Sequence, residues 1–254
     1  MQGRSSLMAM CKVCGNEKLN REFKIKEMMF GFRDEFSYIL CANCGCLQIK
    51  EVPNDISKYY PSDYYSFRNL ANKRSKIRKL AKKCRDYYAV FDNGIIGKLL
   101  FKMFPNEALR SLSKSGLNKD WKILDVGCGS GGLLYSLKEI GFMNLLGIDP
   151  YIKSNIRYEN GLDILKKTIY EVQGQFDLIM FHHSFEHMQP EGVLQAAANL
   201  MASHGICLIR IPIADSWAWE YYGINWVQID APRHFFLHTR KSMEILANKA
   251  GLNI

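Results

Sequence analysis

The sequence lacks long hydrophobic runs. No stretch of its 254 residues approaches the roughly 18 to 20 consecutive apolar residues that span a bilayer. Residues 1–10 lack the continuous apolar core of a signal peptide, and internal repeats and low-complexity tracts are also missing. These absences predict a cytoplasmic protein, and in that compartment thiols stay reduced.

Acidic residues are missing from one segment. The chain has 34 Lys and Arg against 25 Asp and Glu, a formal net charge of +9. Nine of the basic residues lie between Arg68 and Arg85, where no acidic residue occurs, which leaves 25 against 25 elsewhere. A basic composition suggests a nucleic-acid partner, but here the excess charge belongs to one short segment.

The basic segment has a helical pattern. Six apolar or small residues recur at helical spacing, which predicts an amphipathic helix whose basic residues cover the other face. One interpretation is a solvated surface helix. The other is peripheral contact of residues 68–91 with an anionic membrane, or attraction of an anionic acceptor. The six residues are Ile77, Leu80, Ala81, Cys84, Tyr88 and Phe91.

The sequence divides into three predicted domains. Residues 1–50 are rich in cysteine, with strand-like runs at Phe23–Phe30 and Glu35–Leu40. Residues 51–115 form a basic helical connector, and residues 116–254 alternate short apolar runs with helical periods. That alternation is typical of a parallel α/β sheet.

Two Cys-x-x-Cys pairs predict a metal site. Cys11 and Cys14 are separated by 26 residues from Cys41 and Cys44. Each pair can form a tight turn, and two such turns joined by a hairpin hold Zn²⁺ in a tetrahedron of thiolates. Four thiolates leave no open position, so the predicted zinc is structural. A redox pair is the alternative, and Cys46 is either a substitute ligand or, as we favour, an inert buried thiol.

A glycine-rich motif follows the first apolar run of the third domain. It reads Lys122-Ile-Leu-Asp-Val-Gly-Cys-Gly-Ser-Gly-Gly-Leu-Leu134. A strand over Ile123–Val126 enters a glycine turn, and a helix follows from about Gly132. Glycines allow close backbone approach, and a helix N-terminus offers unpaired N–H groups, so the motif predicts a nucleotide-like cofactor. The glycine spacing alone does not distinguish S-adenosylmethionine from a dinucleotide.

Two acidic residues favour S-adenosylmethionine. Asp125 stands two positions before Gly127, where it would repel a pyrophosphate but suit the amino group of a methionine moiety. Asp149 ends the second predicted strand, 22 positions after Gly127, where it can accept hydrogen bonds from ribose hydroxyls. A simple Asp-Pro turn at Asp149 and Pro150 is the alternative interpretation.

Together these motifs resemble the class I S-adenosylmethionine-dependent methyltransferases over about residues 119–252. Phe176–His187 resembles the family's fourth-strand segment, and Ile206–Pro212 would be the fifth strand. The resemblance implies an α/β fold with a doubly wound, mostly parallel Rossmann-like sheet, here joined to a zinc-ribbon-like module and a helical connector. The residues that we predict to bind the cofactor are Asp125, Gly127, Cys128, Gly129, Gly131, Asp149, Pro150 and His182.

A narrower resemblance concerns the acceptor. The cysteine module, the connector and Ile229–Thr239 resemble bacterial methyltransferases that act on nucleotide-activated sugars or surface polysaccharide. In sugar C-methyltransferases of this type, a Tyr-x-Glu-His segment carries the proposed base. His234 matches that His, whereas Ala231 and Arg233 replace the Tyr and Glu. The resemblance implies a small-molecule or glycan acceptor, with His234 as the base. Position adds His183, Glu186 and His187 to the predicted catalytic residues, because they follow the fourth strand and open α/β sheets place ligands at strand ends. His238, in the loop after the fifth strand, is a weaker candidate.

Two other functions remain open. The first is RNA or DNA methylation, but the fourth strand ends in His-His-Ser-Phe and not in the Asn/Asp-Pro-Pro-Tyr/Phe of amino-group base methyltransferases. The second is a non-catalytic adaptor, against which the intact cofactor residues argue. Aromatic residues between Trp217 and Trp226 suit a ring-shaped acceptor, a lid or core packing.

The end of the chain predicts an open sheet edge. Family members continue into two further strands, whereas this sequence stops at Ile254. We therefore expect an apolar edge beside the fifth strand, either from truncation or covered by a partner in an oligomer.

Overall fold

The computed structural model describes residues 10–60 and 75–254. The predicted membrane-contact segment is only partly included, because residues 68–74 lie outside the described ranges. In the described part of the chain, no helix is both long and apolar enough to cross a bilayer. The helices and strands are β1 Arg21–Lys26, β2 Glu35–Leu40, β3 Leu47–Ile49, α1 Lys76–Phe91, α2 Ile95–Met103, α3 Glu107–Arg110, β4 Ile123–Val126, α4 Gly132–Glu139, β5 Leu145–Ile148, β6 Ile156–Arg157, β7 Asp163–Leu165, β8 Phe176–His182, α5 Pro190–Leu200, β9 Met201–Arg210, α6 Trp217–Tyr222, β10 Phe236–Leu237 and α7 Arg240–Lys249.

The chain forms two compact units. Among the described residues, we call 10–60, 183–198 and 211–254 the cysteine unit, and 75–182 and 199–210 the parallel-sheet unit. The three domains predicted from sequence stay a prediction, because the units are defined by contacts and each draws on separate stretches of the chain.

The parallel-sheet unit contains a six-stranded sheet in the order β6-β7-β5-β4-β8-β9. Every neighbouring pair is parallel except β6 with β7. All four residues of β4 are buried, as expected for a central strand covered on both faces. The predicted α/β class with a mostly parallel sheet is confirmed.

Most strands of this sheet were located from sequence. β4 coincides with the predicted Ile123–Val126, and β8 forms the first part of the predicted Phe176–His187. β9 begins at Met201 instead of the predicted Ile206. Among the described residues, β9 is an edge strand of the sheet. β6 and β7 were missed, because strands of two and three residues are too short to show a period.

α1 and α2 pack closely at a glycine. A Cβ on Gly97 would lie 2.4 Å from the Cys84 carbonyl oxygen and 2.6 Å from Tyr88 Cβ. These distances are far below ordinary contact, so any larger residue would push the two helices apart. The core of the unit continues from α1 through α4 into the sheet, and includes Ala89, Val90, Leu109, Leu134, Leu137, Ile164 and Leu178.

The predicted amphipathic helix exists as α1, but its burial differs from the expectation. Asp86 is buried and forms ion pairs with Lys82 and Arg85 at 2.9 and 2.6 Å. These two basic side chains therefore turn toward the protein instead of covering the solvent face. Conversely, Ile77 and Leu80 are 81% and 61% exposed, so the first turns of the predicted apolar face are largely open to solvent.

The cysteine unit contains a four-stranded antiparallel sheet in the order β1-β2-β3-β10. β10 belongs to the C-terminal part of the chain, yet it pairs with β3 near the N-terminus. β1 ends at Lys26, before the predicted end at Phe30. The core joins both ends of the chain, and consists of Ile25, Tyr38, Leu47, Ile49, Ala214, Ile229, Ala231 and Leu237.

Candidate functional site

The predicted cofactor loop connects β4 to α4. Gly127, Gly129 and Gly131 have positive φ angles of 74°, 56° and 78°, a conformation that glycine adopts without steric cost. A Cβ on Gly131 would also lie 2.4 Å from Ile164 Cδ1. The loop therefore requires glycine for both its backbone path and its packing, and it leads into the unpaired amide groups at the start of α4.

Asp149 is fixed against this loop. It follows β5 and is buried. Its Oδ2 accepts a hydrogen bond from Gly129 N at 2.9 Å, and its Oδ1 accepts one from Tyr151 N at 2.8 Å. These bonds hold the carboxylate in one orientation beside the glycine turn.

Asp125 is an acid buried at the end of β4 next to the glycine turn. It is 2% exposed, and its Oδ1 has no hydrogen-bond partner among the described residues. Burial, together with the charge of Asp149, raises the pKa of Asp125 to about 8. A cationic ligand group at this position would restore the ionised form.

The other predicted cofactor residues lie in the same unit. Burial and the nearby carboxylates raise the pKa of the Cys128 thiol well above its usual value, so this thiol stays protonated. Pro150 follows Asp149 directly, and His182 is the last residue of β8. All eight predicted cofactor residues thus belong to the parallel-sheet unit.

The four predicted catalytic residues come together in the cysteine unit. Glu186 is fully buried, and its Oε1 lies 3.5 Å from His183 Nδ1 and 3.8 Å from His234 Nε2. The rings of His187 and His234 meet edge to face with centroids 4.7 Å apart. Within the described residues, neither oxygen of Glu186 accepts a hydrogen bond. We call these four residues the histidine–glutamate cluster.

Backbone carbonyls fix the proton positions on two of the rings. His187 Nδ1 lies 2.7 Å from the Arg233 carbonyl oxygen, and His234 Nδ1 lies 2.8 Å from that of Gln228. Because a carbonyl only accepts, both Nδ1 atoms donate, and each neutral ring keeps a lone pair on Nε2. Burial lowers the pKa of His234 well below 6.5, so His234 is neutral at pH 7 and can accept a proton or bind a cation.

Arg233 anchors the segment that carries His234. Its buried guanidinium donates to Glu27 Oε1 at 3.2 Å, to Asp230 Oδ2 at 2.9 Å and to the Tyr59 carbonyl oxygen at 2.9 Å. From sequence, Arg233 was only a departure from a family pattern. No local signal pairs it with Glu27, because 206 positions separate the two residues.

The four predicted zinc ligands also form a cluster. Their Sγ atoms lie within 4.8 Å of one another, with Cys11 and Cys44 at 3.7 Å and Cys14 and Cys41 at 3.5 Å. The glycine after each pair has a positive φ, 73° and 72°. The backbone N–H of each glycine bonds to the carbonyl of the first cysteine of its pair. The cluster is compatible with zinc.

Cys46 and His238 are buried next to each other. Cys46 lies outside the four-cysteine cluster, with its Sγ 4.0 Å from His238 Nδ1. Burial raises the pKa of Cys46 and lowers that of His238 to about 3. Both side chains are therefore neutral, which agrees with the interpretation of Cys46 as an inert thiol.

Comparison with known proteins identifies the family. The profile described as "Methyltransferase domain" matches residues 94–254, whereas no curated protein matches the chain. Solved structures with a similar fold include CalO1, a methyltransferase in calicheamicin biosynthesis in its S-adenosylhomocysteine-bound form (14% identity, TM-score 0.43). The match covers 69% of this chain, which spans only 63% of CalO1. Another is the magnesium protoporphyrin IX methyltransferase of Synechocystis PCC 6803 (11% identity, TM-score 0.44, 76% of this chain and 86% of that one). Because the profile covers more than half of the sequence, the chain belongs to the family of methyltransferase domains.

Proposed function

We propose that the enzyme methylates a small carbohydrate-type acceptor, such as a sugar nucleotide or a surface-glycan precursor. The histidine–glutamate cluster carries this proposal. Methyl transfer from a sulfonium is an in-line displacement, and a hydroxyl or an acidic carbon must lose a proton to become the nucleophile. Imidazoles beside a buried carboxylate provide groups that can take up that proton.

The proposal assigns a role to each predicted residue. Asp125 pairs with the amino group of the methionine moiety, and Asp149 accepts from the ribose hydroxyls. His234 Nε2 takes the proton of the acceptor, while Glu186 stabilises the imidazolium that forms. His187, whose tautomer is fixed in the same way, is the second candidate for the base.

Exposed aromatic rings support a ring-shaped acceptor. Trp217 and Tyr221 on α6 stack with centroids 4.9 Å apart at 14°, and Tyr222 meets Tyr221 edge to face. All three are exposed. An exposed aromatic face in the same unit as the histidine–glutamate cluster offers a flat apolar surface to a sugar ring.

Methyl transfer from labelled S-adenosylmethionine to a panel of nucleotide-sugars tests this function. We expect label in a nucleotide-sugar. We also expect His234→Gln to lower kcat about 100- to 10,000-fold, because a positioned base contributes that much, while affinity for S-adenosylmethionine measured by calorimetry is unchanged. His204→Gln, which changes an exposed histidine of β9, is the matched control and should leave kcat unaltered.

Other outcomes of this assay would reject the proposal. Label in RNA instead of a sugar would establish the nucleic-acid alternative. Cofactor binding without transfer to any acceptor, together with an unaltered rate in His234→Gln, would favour the adaptor.

We further propose that the four-cysteine cluster holds a structural zinc ion. Tetrahedral bonds of about 2.3 Å place the sulfur atoms about 3.8 Å apart, close to the distances in the cluster. The Cys44 N–H also approaches Cys41 Sγ at 3.5 Å, an arrangement that orients the thiolate. These four residues could hold the ion without rearrangement of the β1–β3 sheet.

Loss of this zinc should unfold the cysteine unit. The apparent binding free energy of structural zinc is about 10–16 kcal/mol in zinc-finger peptides, comparable to the whole stability of a domain of about 5–15 kcal/mol. Cys14→Ser should therefore abolish zinc measured by elemental analysis and make residues 10–60 sensitive to protease. Cys84→Ser, on α1, is the control, and full zinc content in Cys14→Ser would contradict the assignment.

We also propose that α1 and α2 contact an anionic membrane. Ile77, Leu80, Ile95, Ile96 and Leu99 are all exposed, with Ile95 at 89%. Exposed basic side chains surround them, and the charge favours anionic lipid over a second copy of this equally basic surface. The basic residues are Lys76, Arg78, Lys79, Lys83, Lys98 and Lys102.

Vesicle sedimentation tests the membrane contact. The protein should bind phosphatidylglycerol vesicles, and Lys79→Gln with Lys83→Gln should weaken binding about 30-fold, since each basic residue contributes about 1 kcal/mol. Lys166→Gln with Lys167→Gln is the matched control for net charge. Equal binding to neutral phosphatidylcholine vesicles, or loss of the apolar exposure in a stable dimer, would reject this contact.

A further inference from the structure

We propose that Glu186, His187 and His234 form a second metal site, which takes a divalent cation such as Zn²⁺, Co²⁺, Fe²⁺ or Mn²⁺. One ligand atom from each residue lies within 4.8 Å of the other two. Two imidazoles and one carboxylate are the donor set of many catalytic zinc sites and of non-haem iron sites. The site shares no residue with the four-cysteine cluster.

The hydrogen bonds of the two histidines are those of metal ligands. A ligating histidine donates its second ring N–H to a carboxylate, a backbone carbonyl or water, which fixes the tautomer and the ring orientation. His187 and His234 both donate Nδ1–H to backbone carbonyls, those of Arg233 and Gln228. The carbonyl that orients His187 belongs to Arg233, which is itself held by buried ion pairs.

The buried carboxylate of Glu186 is a second, independent observation that favours a bound cation. Its side chain is completely buried, and neither carboxylate oxygen accepts a hydrogen bond from a described residue. A buried carboxylate without such partners is costly, and a metal ion is one of the few groups that compensates it. His183 Nδ1, at 3.5 Å, is the nearest alternative partner, and its side chain is 42% exposed.

The three ligand atoms lie farther apart than they would around a bound metal ion. Bonds of about 2.0–2.1 Å to nitrogen and oxygen place tetrahedral ligands about 3.3 Å apart. The ligand atoms of Glu186, His187 and His234 are up to 4.8 Å apart. To bind a metal ion, each side chain must therefore move inward by roughly 1 Å or less. Asp230 Oδ2, 3.9 Å from His234 Nε2, is committed to Arg233 and need not bind.

Three protein ligands leave at least one coordination position open. An acceptor oxygen could bind there, and the cation would lower the pKa of a hydroxyl in that position, whose proton would pass to water. With the metal bound, His234 Nε2 is a ligand, and the cation takes over the role of the base. This catalytic consequence rests on the proposed methyl transfer to a carbohydrate-type acceptor, whereas the binding of the metal does not.

Titration of the full-length protein with Co²⁺ alone tests the site. We expect two equivalents per chain, one with the intense thiolate absorption of the four-cysteine cluster and one with the weaker bands of nitrogen and oxygen ligands. His187→Gln and Glu186→Gln should each lose the second equivalent and keep the thiolate band, which reports that the cysteine unit is folded. His204→Gln should keep both.

The results separate this inference from the proposed function. One equivalent in the wild-type protein, or a second equivalent that survives both substitutions, would overturn the metal site. If the enzyme methylates a nucleotide-sugar with a single equivalent bound, the function stands and the second site fails. If two equivalents bind but no acceptor is methylated, the site stands without the function.

Discussion

Asp125→Asn should weaken binding of S-adenosylmethionine about 10- to 150-fold and stabilise the ligand-free protein. The loss of affinity follows from removal of a charged hydrogen bond to the cofactor's amino group, which contributes about 1.5–3 kcal/mol. Calorimetry measures it directly. Unchanged affinity in Asp125→Asn would contradict the role assigned to this residue.

The gain in stability has a defined pH dependence. Burial first, and the charge of Asp149 second, raise the pKa of Asp125 from 3.8 to about 8 in the folded chain. Ionisation of this carboxyl therefore favours the unfolded state, and the ligand-free wild-type protein loses stability as pH rises from about 4 to about 8. The Asn variant lacks this loss, so its Tm should match wild type in acid and exceed it by several degrees above pH 8.

Asp149→Asn is the matched control for this experiment. It also removes a carboxylate from the predicted cofactor site and should also weaken binding. However, the ligand-free Asp149→Asn protein should be less stable than the wild type. An Asn side chain has one accepting oxygen where Asp149 has two, so it cannot accept hydrogen bonds from both Gly129 N and Tyr151 N in the same geometry. A buried donor left without a partner costs about 1–3 kcal/mol.

Arg233→Met should destabilise the cysteine unit by about 3–5 kcal/mol, the usual cost of removing one partner from a buried ion pair. Both Glu27 and Asp230 would lose their cation. Burial opposes the ionisation of Glu27, but hydrogen bonds from Phe30 N, Arg233 and Phe32 N outweigh it and lower its pKa. Urea denaturation at pH 7 measures the change.

The exposed ion pair of Arg240 with Asp215 provides the control. Arg240→Met should cost about 1 kcal/mol or less, as is usual at the surface. Arg233→Glu restores the acid of the sugar C-methyltransferase pattern, yet it should be worse than Arg233→Met because it brings three carboxylates together. Equal stability of Arg233→Met and Arg240→Met would show that the buried pairs contribute little.

The parts of the fold that were predicted depend on local sequence. β4, β5 and α4 follow directly from an apolar run, a glycine turn and a helical period within one short stretch. The four cysteines were found because spacing within each pair determines the geometry of its turn. The three histidines and Glu186 were chosen because they follow the fourth strand or lie in the loop after the fifth, and the structure brings these four residues into one cluster.

The parts that were missed depend on long-range contacts. Glu27 meets Arg233 only after the cysteine sheet has formed, and nothing in the sequence near either residue indicates the pair. The inward turn of Lys82 was missed for the same reason, because it bonds Ser136 Oγ at 2.6 Å as well as Asp86. Asp86 lies one turn along α1 from Lys82, but Ser136 belongs to α4. A periodic pattern gives the face of a helix but not which polar group of another element that face will contact.

β3 receives its second neighbouring strand only when Leu237 has left the ribosome. Until then β3, which pairs with β2 on one side, is an unprotected edge of the sheet. The Tyr38 hydroxyl also lacks its acceptor, the His234 carbonyl oxygen. The β4–β8 strands, in contrast, come from a nearly continuous stretch and can pair during synthesis. The N-terminal cysteine segment, although made first, therefore gains its last strand only after β4–β8 have all been made.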